Sequence, residues 1–185
     1  MTRSICPVVS ADGVEFVSDA AHGERVLQAA AQARRSLWLG TADIKDLYVA
    51  GAGGARRPFL GVLAGLLERG VEVRLIHAKE PGALFRQDFD RFPGLAVGLE
   101  RVLCPRVHFK LVVVDSEWCY IGSANLTGAG MGMKSSARRN FEAGVVSCLP
   151  ALVAGAMEEF DRVWRGDACA GCGRREFCPD PVVTR

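Results

Sequence analysis

The sequence has almost no excess charge of either sign. Twenty-three Lys and Arg stand against 21 Asp and Glu, a formal net charge of +2 over 185 residues. That excludes a protein that coats a polyanion through bulk charge, so any nucleic-acid contact must be local. No apolar run approaches the roughly 20 residues of a membrane span. Residues 60–67 and 111–114 are among the longest, and charges or turns break both. Residues 1–9 hold no apolar block of export-signal length, so a cytoplasmic protein is expected. No internal repeat and no low-complexity segment is present, and no aromatic platform for stacking bases, which argues against sequence-specific readout. Cysteine is not scarce: there are seven, an odd number, and three crowd together at Cys169, Cys172 and Cys178. Without an export signal a disulfide framework is not their expected use.

With 49% apolar and 24% charged residues, the chain has enough material for one core, and its length leaves little room for a second. The reading is a domain over residues 1–165 and a short cysteine-rich tail over 166–185. Residues 24–34 are strong helix formers and 36–39 read as a short buried strand. Pro58 opens a second helix that runs to Arg69 and ends at Gly70. Residues 71–77 read as a strand, 81–92 as a shorter helix and 95–103 as a strand. Helix and strand alternating in this way argue α/β. From residue 107 strands follow in close succession, over 107–114, 118–121 and 141–146, with a turn at 115–117 and a long glycine-rich loop. Residues 149–164 form an amphipathic helix carrying Leu152, Met157, Phe160 and Trp164, and Gly166 releases the tail.

The chemistry is concentrated in the strand region. Side chains alternate along a strand, so His108 and Lys110 emerge together while Val107, Phe109, Leu111 and Val113 face the other way. After the turn, Ser123 and Asn125 repeat the same two-residue offset. Asn140 and Glu142 do so again downstream. An imidazole, an ammonium, a hydroxyl and an amide suit an anionic phosphate: His108 is the nucleophile and Lys110 and Asn125 are donors to its oxygens. Glu142 is a carboxylate that can fix the imidazole tautomer.

The string His108-x-Lys110-x4-Asp115-x6-Gly122-Ser123-x-Asn125 resembles the signature of the phospholipase D superfamily, and Asn140-Phe141-Glu142 resembles its downstream acidic strand. The resemblance spans roughly residues 20–165. It implies a sandwich with a mixed central sheet flanked by helices. It also implies a two-step phosphodiester transfer, in which one motif histidine forms a phosphohistidine and a second protonates the leaving group, without a metal. Members need two motifs and this chain has one. It therefore looks like the small single-motif branch, which includes bacterial endonucleases and builds its site from a homodimer. In that reading His108 takes one role in each chain, Lys110 and Asn125 bind phosphate oxygens, Ser123 tunes the site and Glu142 orients His108. Asp115 and Gly122 are structural. Other readings are a lipid-acting phospholipase D or phosphatidyl transferase, and a catalytically idle nucleic-acid-binding module.

The loop 126–140 carries Lys134, Arg138 and Arg139 and no acid, and its glycines allow close backbone approach, so it is read as a candidate phosphate-backbone track. Arg56 and Arg57, on another glycine-rich stretch, are a weaker hint of the same kind. His77 ends a strand, where α/β sheets place ligand-facing residues, but a structural role is favoured. His22 is read as solvated at a helix start. In the tail, Cys169-x2-Cys172 is the tight pair that grips one ion from a knuckle turn, with Cys178 as a third ligand. Cys104 is the favoured fourth ligand over Cys6 and Cys148, because the Cys104-Pro105 turn leads into the catalytic strand. The expected cofactor is structural zinc. The alternative is an iron-sulfur cluster, since the spacing resembles the last three ligands of cluster-bearing DNA glycosylases.

Overall fold

The structure, a computed structural model, describes residues 12–45, 47–50 and 56–182. In chain order the elements are β1 (Val14–Ser18), a π-type turn (Gly23–Leu27) continuing into α1 (Gln28–Ala31), β2 (Ser36–Thr41), β3 (Ile44–Lys45), β4 (Tyr48–Ala50), β5 (Arg56–Pro58), α2 (Phe59–Glu68), β6 (Glu72–His77), α3 (Ala83–Asp90), α4 (Gly94–Gly98), β7 (Leu99–Leu103), β8 (Lys110–Val114), β9 (Trp118–Gly122), β10 (Leu126–Thr127), β11 (Ala143–Ser147) and α5 (Pro150–Trp164). Seven strands form one sheet in the order β1-β11-β9-β8-β2-β6-β7. Strands β2, β6 and β7 run parallel, and every other pairing in the sheet is antiparallel. This is the mixed central sheet that the resemblance implies.

Side-chain alternation divides the core between the two faces of the sheet. Leu37, Leu39, Val112 and Val114 pack against the helices before β8, with Leu63 and Leu66 of α2 opposite them. Trp38, Ile76, Leu111 and Val113 face the other way onto Val153, Ala156 and Phe160 of α5. The apolar stripe read over 149–164 is the inner side of that helix.

The first helix is shorter than its composition predicts. Its chain is pulled out of helical pairing at Arg34 because the buried carboxylate of Asp115 accepts the N–H groups of Arg34, Arg35 and Ser36 (2.7–3.1 Å). Asp115 is thus the structural residue the resemblance implies. Residues 95–98, expected as strand, form the helical turn α4: Pro93 at its start has helical dihedrals and Leu95 is buried, so only Leu99 onward joins the sheet. Arg56 and Arg57 lie in a short ladder with β4 rather than a loop, both exposed, while residues 51–55 lie outside the described set. Strand β1 pairs antiparallel with β11 and was not legible from its half-exposed pattern.

Candidate active site

The carboxyl ends of β2, β6, β7 and β9 and the starts of β8 and β11 share one edge of the sheet. His108, Lys110, Ser123, Asn125 and Glu142 lie at this edge, the location at which open α/β sheets bind ligands, while Asp115 of the motif sits at the opposite end of β8. His108 falls two residues before the ladder begins, because the turn at Cys104 (Val107 N–H to Cys104 carbonyl, 2.9 Å) delays pairing until Lys110. The imidazole is therefore exposed, while Lys110 is 7% exposed. The Lys110 ammonium donates to the His108 carbonyl (2.7 Å) and its Nζ stands 3.2 Å from His108 Nδ1. Burial holds the Lys110 pKa below its ordinary value, opposed by the negative charge of Glu142. An ammonium only donates, so this contact favours the tautomer of His108 with its proton on Nε2.

Ser123 is locked to β11: its N–H donates to the Ala143 carbonyl (3.0 Å) and its hydroxyl oxygen accepts from Ala143 N–H (3.1 Å). That hydroxyl donates to one oxygen of Glu142, and Asn140 Nδ2 donates to the other (3.0 Å). Glu142 is therefore engaged with Ser123 and Asn140, and not with His108 of its own chain. Its backbone is fixed by Asp19, whose Oδ1 accepts from Glu142 N–H (3.2 Å) and whose own N–H donates to the Glu142 carbonyl (3.1 Å). Asn125 is aimed by its amide oxygen, which accepts from Ala42 N–H (3.2 Å) and Asp43 N–H (3.1 Å). This spends the acceptor on the 41–43 turn, so what Asn125 brings to a phosphate is its NH₂ group. Thr41 braces the same turn, donating to the Asp43 carbonyl (2.8 Å) and accepting from Leu126 N–H (3.1 Å).

Gly122 has a packing reason. It pairs with Lys110 on one side and with Gly144 on the other, and the Tyr120 ring fills the space the two glycines leave. The Tyr120 hydroxyl accepts from Ala124 N–H (3.2 Å) and shapes the bend between Ser123 and Asn125. His22 stands edge-on to Tyr120, ring centroids 5.4 Å apart. The reading of His22 as solvated is wrong: it is fully buried, with Nδ1 3.1 Å from the Asp19 carbonyl and Nε2 without a partner. Asp19, His22, Thr41 and Tyr120 thus support the site from behind. Nothing in their sequence spacing marked them, since they come from separate elements. His77 is likewise buried, with Nδ1 2.8 Å from the Lys79 carbonyl.

The loop 126–140 is two pieces. Its first half is packed, with Met131 buried and Gly132, at φ +67°, leaving no room for a side chain beside Ala20. Gly130 and Gly132 are therefore set close against neighbouring backbone, Gly130 against Asn125 and Gly132 against Ala20. Only the second half is presented: Arg138 and Arg139 sit on a turn closed by Ser135, Arg138 exposed and Arg139 half-buried, with Lys134 half-buried beside them. On the rim, Lys45 and Lys79 both bind Asp43 (2.7 and 3.3 Å), which holds its carboxyl below the ordinary value despite partial burial.

The cysteines part company. Cys148, considered above as an alternative fourth ligand, is disulfide-bonded, although disulfides were not the expected use of these cysteines. Cys119 is buried in the core, and burial pushes its thiol up to about 11. Cys104, Cys169, Cys172 and Cys178 are free and line one small pocket. Among the described residues, however, no group of three or more His, Cys, Asp or Glu side chains is arranged to hold an ion, so the metal-binding tail expected from the spacing is not shown.

The family described as "Cardiolipin synthase, PLD-like domain" matches residues 26–164, well over half of the chain. The chain belongs to the phospholipase D superfamily. Solved structures with the same fold include Nuc from Salmonella typhimurium, a phospholipase D family member (20% identity, TM-score 0.60, covering 82% of this chain and 93% of that one). NucT from Helicobacter pylori is similar (12%, 0.58, 80% and 93%). So is TrmBL2, an archaeal chromatin protein whose structure shows a mode of DNA binding (17%, 0.56, 85% and 54%). No curated protein matches the chain. Among the described residues of this phospholipase D superfamily member, no helix is long and apolar enough to cross a membrane.

Proposed function

We propose that this protein is a metal-independent phosphodiesterase that cleaves nucleic acid through a phosphohistidine, in an active site completed by two copies of the chain. The observation that carries the reading is that one chain supplies half of what the transfer needs. It presents one exposed imidazole beside an ammonium, an amide and a hydroxyl-carboxylate pair. In-line displacement at phosphorus requires a nucleophile on one side and an acid on the other. Phe141, 95% exposed immediately before Glu142, and Phe16, exposed on the adjoining edge strand, are apolar surface that a second copy would cover.

In the attacking chain His108 Nε2 forms the bond to phosphorus while the bond to the leaving oxygen breaks. The imidazolium of the facing copy gives its proton to that oxygen. Water then attacks the phosphohistidine, loses its proton to the facing imidazole and releases a phosphate monoester and free His108. Lys110 and the Asn125 amide hold the phosphoryl oxygens. The attacking ring must carry its proton on Nδ1 and therefore needs an acceptor there. Glu142 is the carboxylate at hand, and since it does not meet its own His108, it orients the imidazole of the facing copy.

Nucleic acid is favoured over lipid by Lys134, Arg138 and Arg139 beside the motif and by the DNA binding ascribed to TrmBL2. The family description names a cardiolipin synthase, which keeps a lipid-acting phosphatidyl transferase as the second reading. Against it, the exposed side of α5 mixes Glu158 and Glu159 with Arg162 and has no basic face for a membrane surface. The test offers the purified protein, with chelator present, single- and double-stranded DNA, RNA, a chromogenic phosphodiester and phosphatidylglycerol vesicles. Cleavage of nucleic acid that is lost in His108→Ala supports the reading. Turnover of vesicles alone establishes the lipid enzyme, and binding of nucleic acid without turnover establishes an idle binding module.

A further inference from the structure

The tail returns to the body of the protein. Asp180 accepts from Leu103 N–H (2.9 Å) at the end of β7, and the Cys178 thiol lies 3.9 Å from the Leu103 carbonyl. Cys169 and Cys172 sit on one tight turn, closed by Cys172 N–H to the Cys169 carbonyl (3.2 Å). This fold-back carries three tail cysteines to a fourth, Cys104, which is 65 residues or more away along the chain, and all four line a pocket of about 20 Å³. We propose that Cys104, Cys169, Cys172 and Cys178 bind a single zinc ion that staples the tail to the turn feeding His108.

The residue types that line the pocket suit that occupant, although their side chains must turn to reach it. The four side chains are half-buried and free, so they can turn inward without disturbing the core. The inward turn is required, since the thiols as they stand do not form a ligand set. A Cys₄ zinc site has sulfurs about 2.3 Å from the metal, and the pocket has room for about one water-sized guest. Four thiolates around a divalent ion leave a net negative charge, and Arg106, Arg174 and Arg175 line the same pocket. Arg106 and Arg174 lie beside Cys172 in that pocket, within reach to supply the outer-shell donors that a thiolate site uses. Cys104 lies four residues before His108 in the chain, so the ion would fix the start of the strand that carries the imidazole.

The test is the metal content of the full chain expressed with zinc supplied, together with cobalt titration of chelator-stripped protein. The expected result is about one zinc per chain, released by a mercurial, and a tetrahedral thiolate-cobalt spectrum that saturates at the same stoichiometry. Cys172→Ser and Cys178→Ser lose the metal, and Cys119→Ala, in the core, keeps it. A chain carrying no zinc, whose four tail-pocket thiols all react freely with a thiol reagent and whose stripped form gives no cobalt spectrum, overturns the proposal. So does a brown protein containing iron. The cobalt spectrum of the wild type decides the matter even if the serine variants fail to fold.

Discussion

The ring of Tyr120 occupies the space that a side chain at Gly122 would need. A Cβ added there would overlap the Tyr120 hydroxyl, and one added at Gly144 would stand 2.5 Å from the ring's edge. Tyr120 sits in the middle of β9, its hydroxyl bonded to Ala124 N–H, and cannot yield without moving Ser123 and Asn125. Gly122→Ala is therefore expected to destabilise the fold by about 1–3 kcal/mol, read as a lower urea midpoint. Gly155→Ala, with open space around it on α5, is expected to stabilise by about 0.5–1 kcal/mol. Equal midpoints for the two variants would contradict the packing account.

Asp115 spends its carboxylate on three consecutive backbone N–H groups and is 1% exposed. Removing an acceptor from buried donors costs about 1–3 kcal/mol for each group left unsatisfied. Asp115→Ala is expected to lose several kcal/mol in chemical denaturation, and Asp115→Asn, which keeps one acceptor oxygen, less. If the alanine variant unfolds at the wild-type denaturant concentration, the residue does not hold the α1–β2 junction.

His22 and His77 are both buried with an unpartnered Nε2, and burial holds both pKa values below the ordinary 6.5. Below pH 6.5 the unfolded chain takes up protons that the folded chain refuses, so stability is complete above 6.5 and falls as the pH drops toward the depressed folded values. The unfolding free energy is expected to decline from about pH 6.5 downward. In the His22→Gln, His77→Gln double variant the slope contributed by these two groups should disappear. An unchanged slope would mean that neither ring is buried neutral.

On the proposed mechanism, Asn125 contacts the phosphoryl group and Thr41 only braces the turn that aims it. Asn125→Ala is expected to lower kcat by about 100- to 1,000-fold, as loss of one charge-stabilising donor does. Thr41→Val leaves the Asn125 amide in place but frees the turn that aims it, so its loss should be smaller and should shrink further in Thr41→Ser. Equal losses in Asn125→Ala and Thr41→Val, with no rescue by serine, would place Thr41 in the reaction itself.

The sheet and the motif were legible because both are written locally. Period-two alternation set Val107, Phe109, Leu111 and Val113 on the face away from His108 and Lys110, and those four pack in one cluster while Val112 and Val114 pack in the other. The fixed spacing of His108, Lys110, Ser123 and Asn125 brought those residues to one sheet edge. What escaped was long-range. The burial of His22 depends on Tyr120, almost a hundred residues later, and the partners of Glu142 include Asp19 on β1's far side of the chain. The helical turn at 94–98 was missed because a five-residue apolar stretch has no period to read. The packing of Gly132 escaped because its close neighbour, Ala20, lies more than a hundred residues earlier in the chain.

The central claim is that one reaction uses His108 from two chains. Co-expressing wild type and His108→Ala chains at varied ratios, and measuring cleavage of nucleic acid per total protein, tests it directly. A shared site makes mixed pairs inactive, so activity should fall as the square of the wild-type fraction. Activity that falls in direct proportion to that fraction would mean that each chain works alone, and would contradict the account.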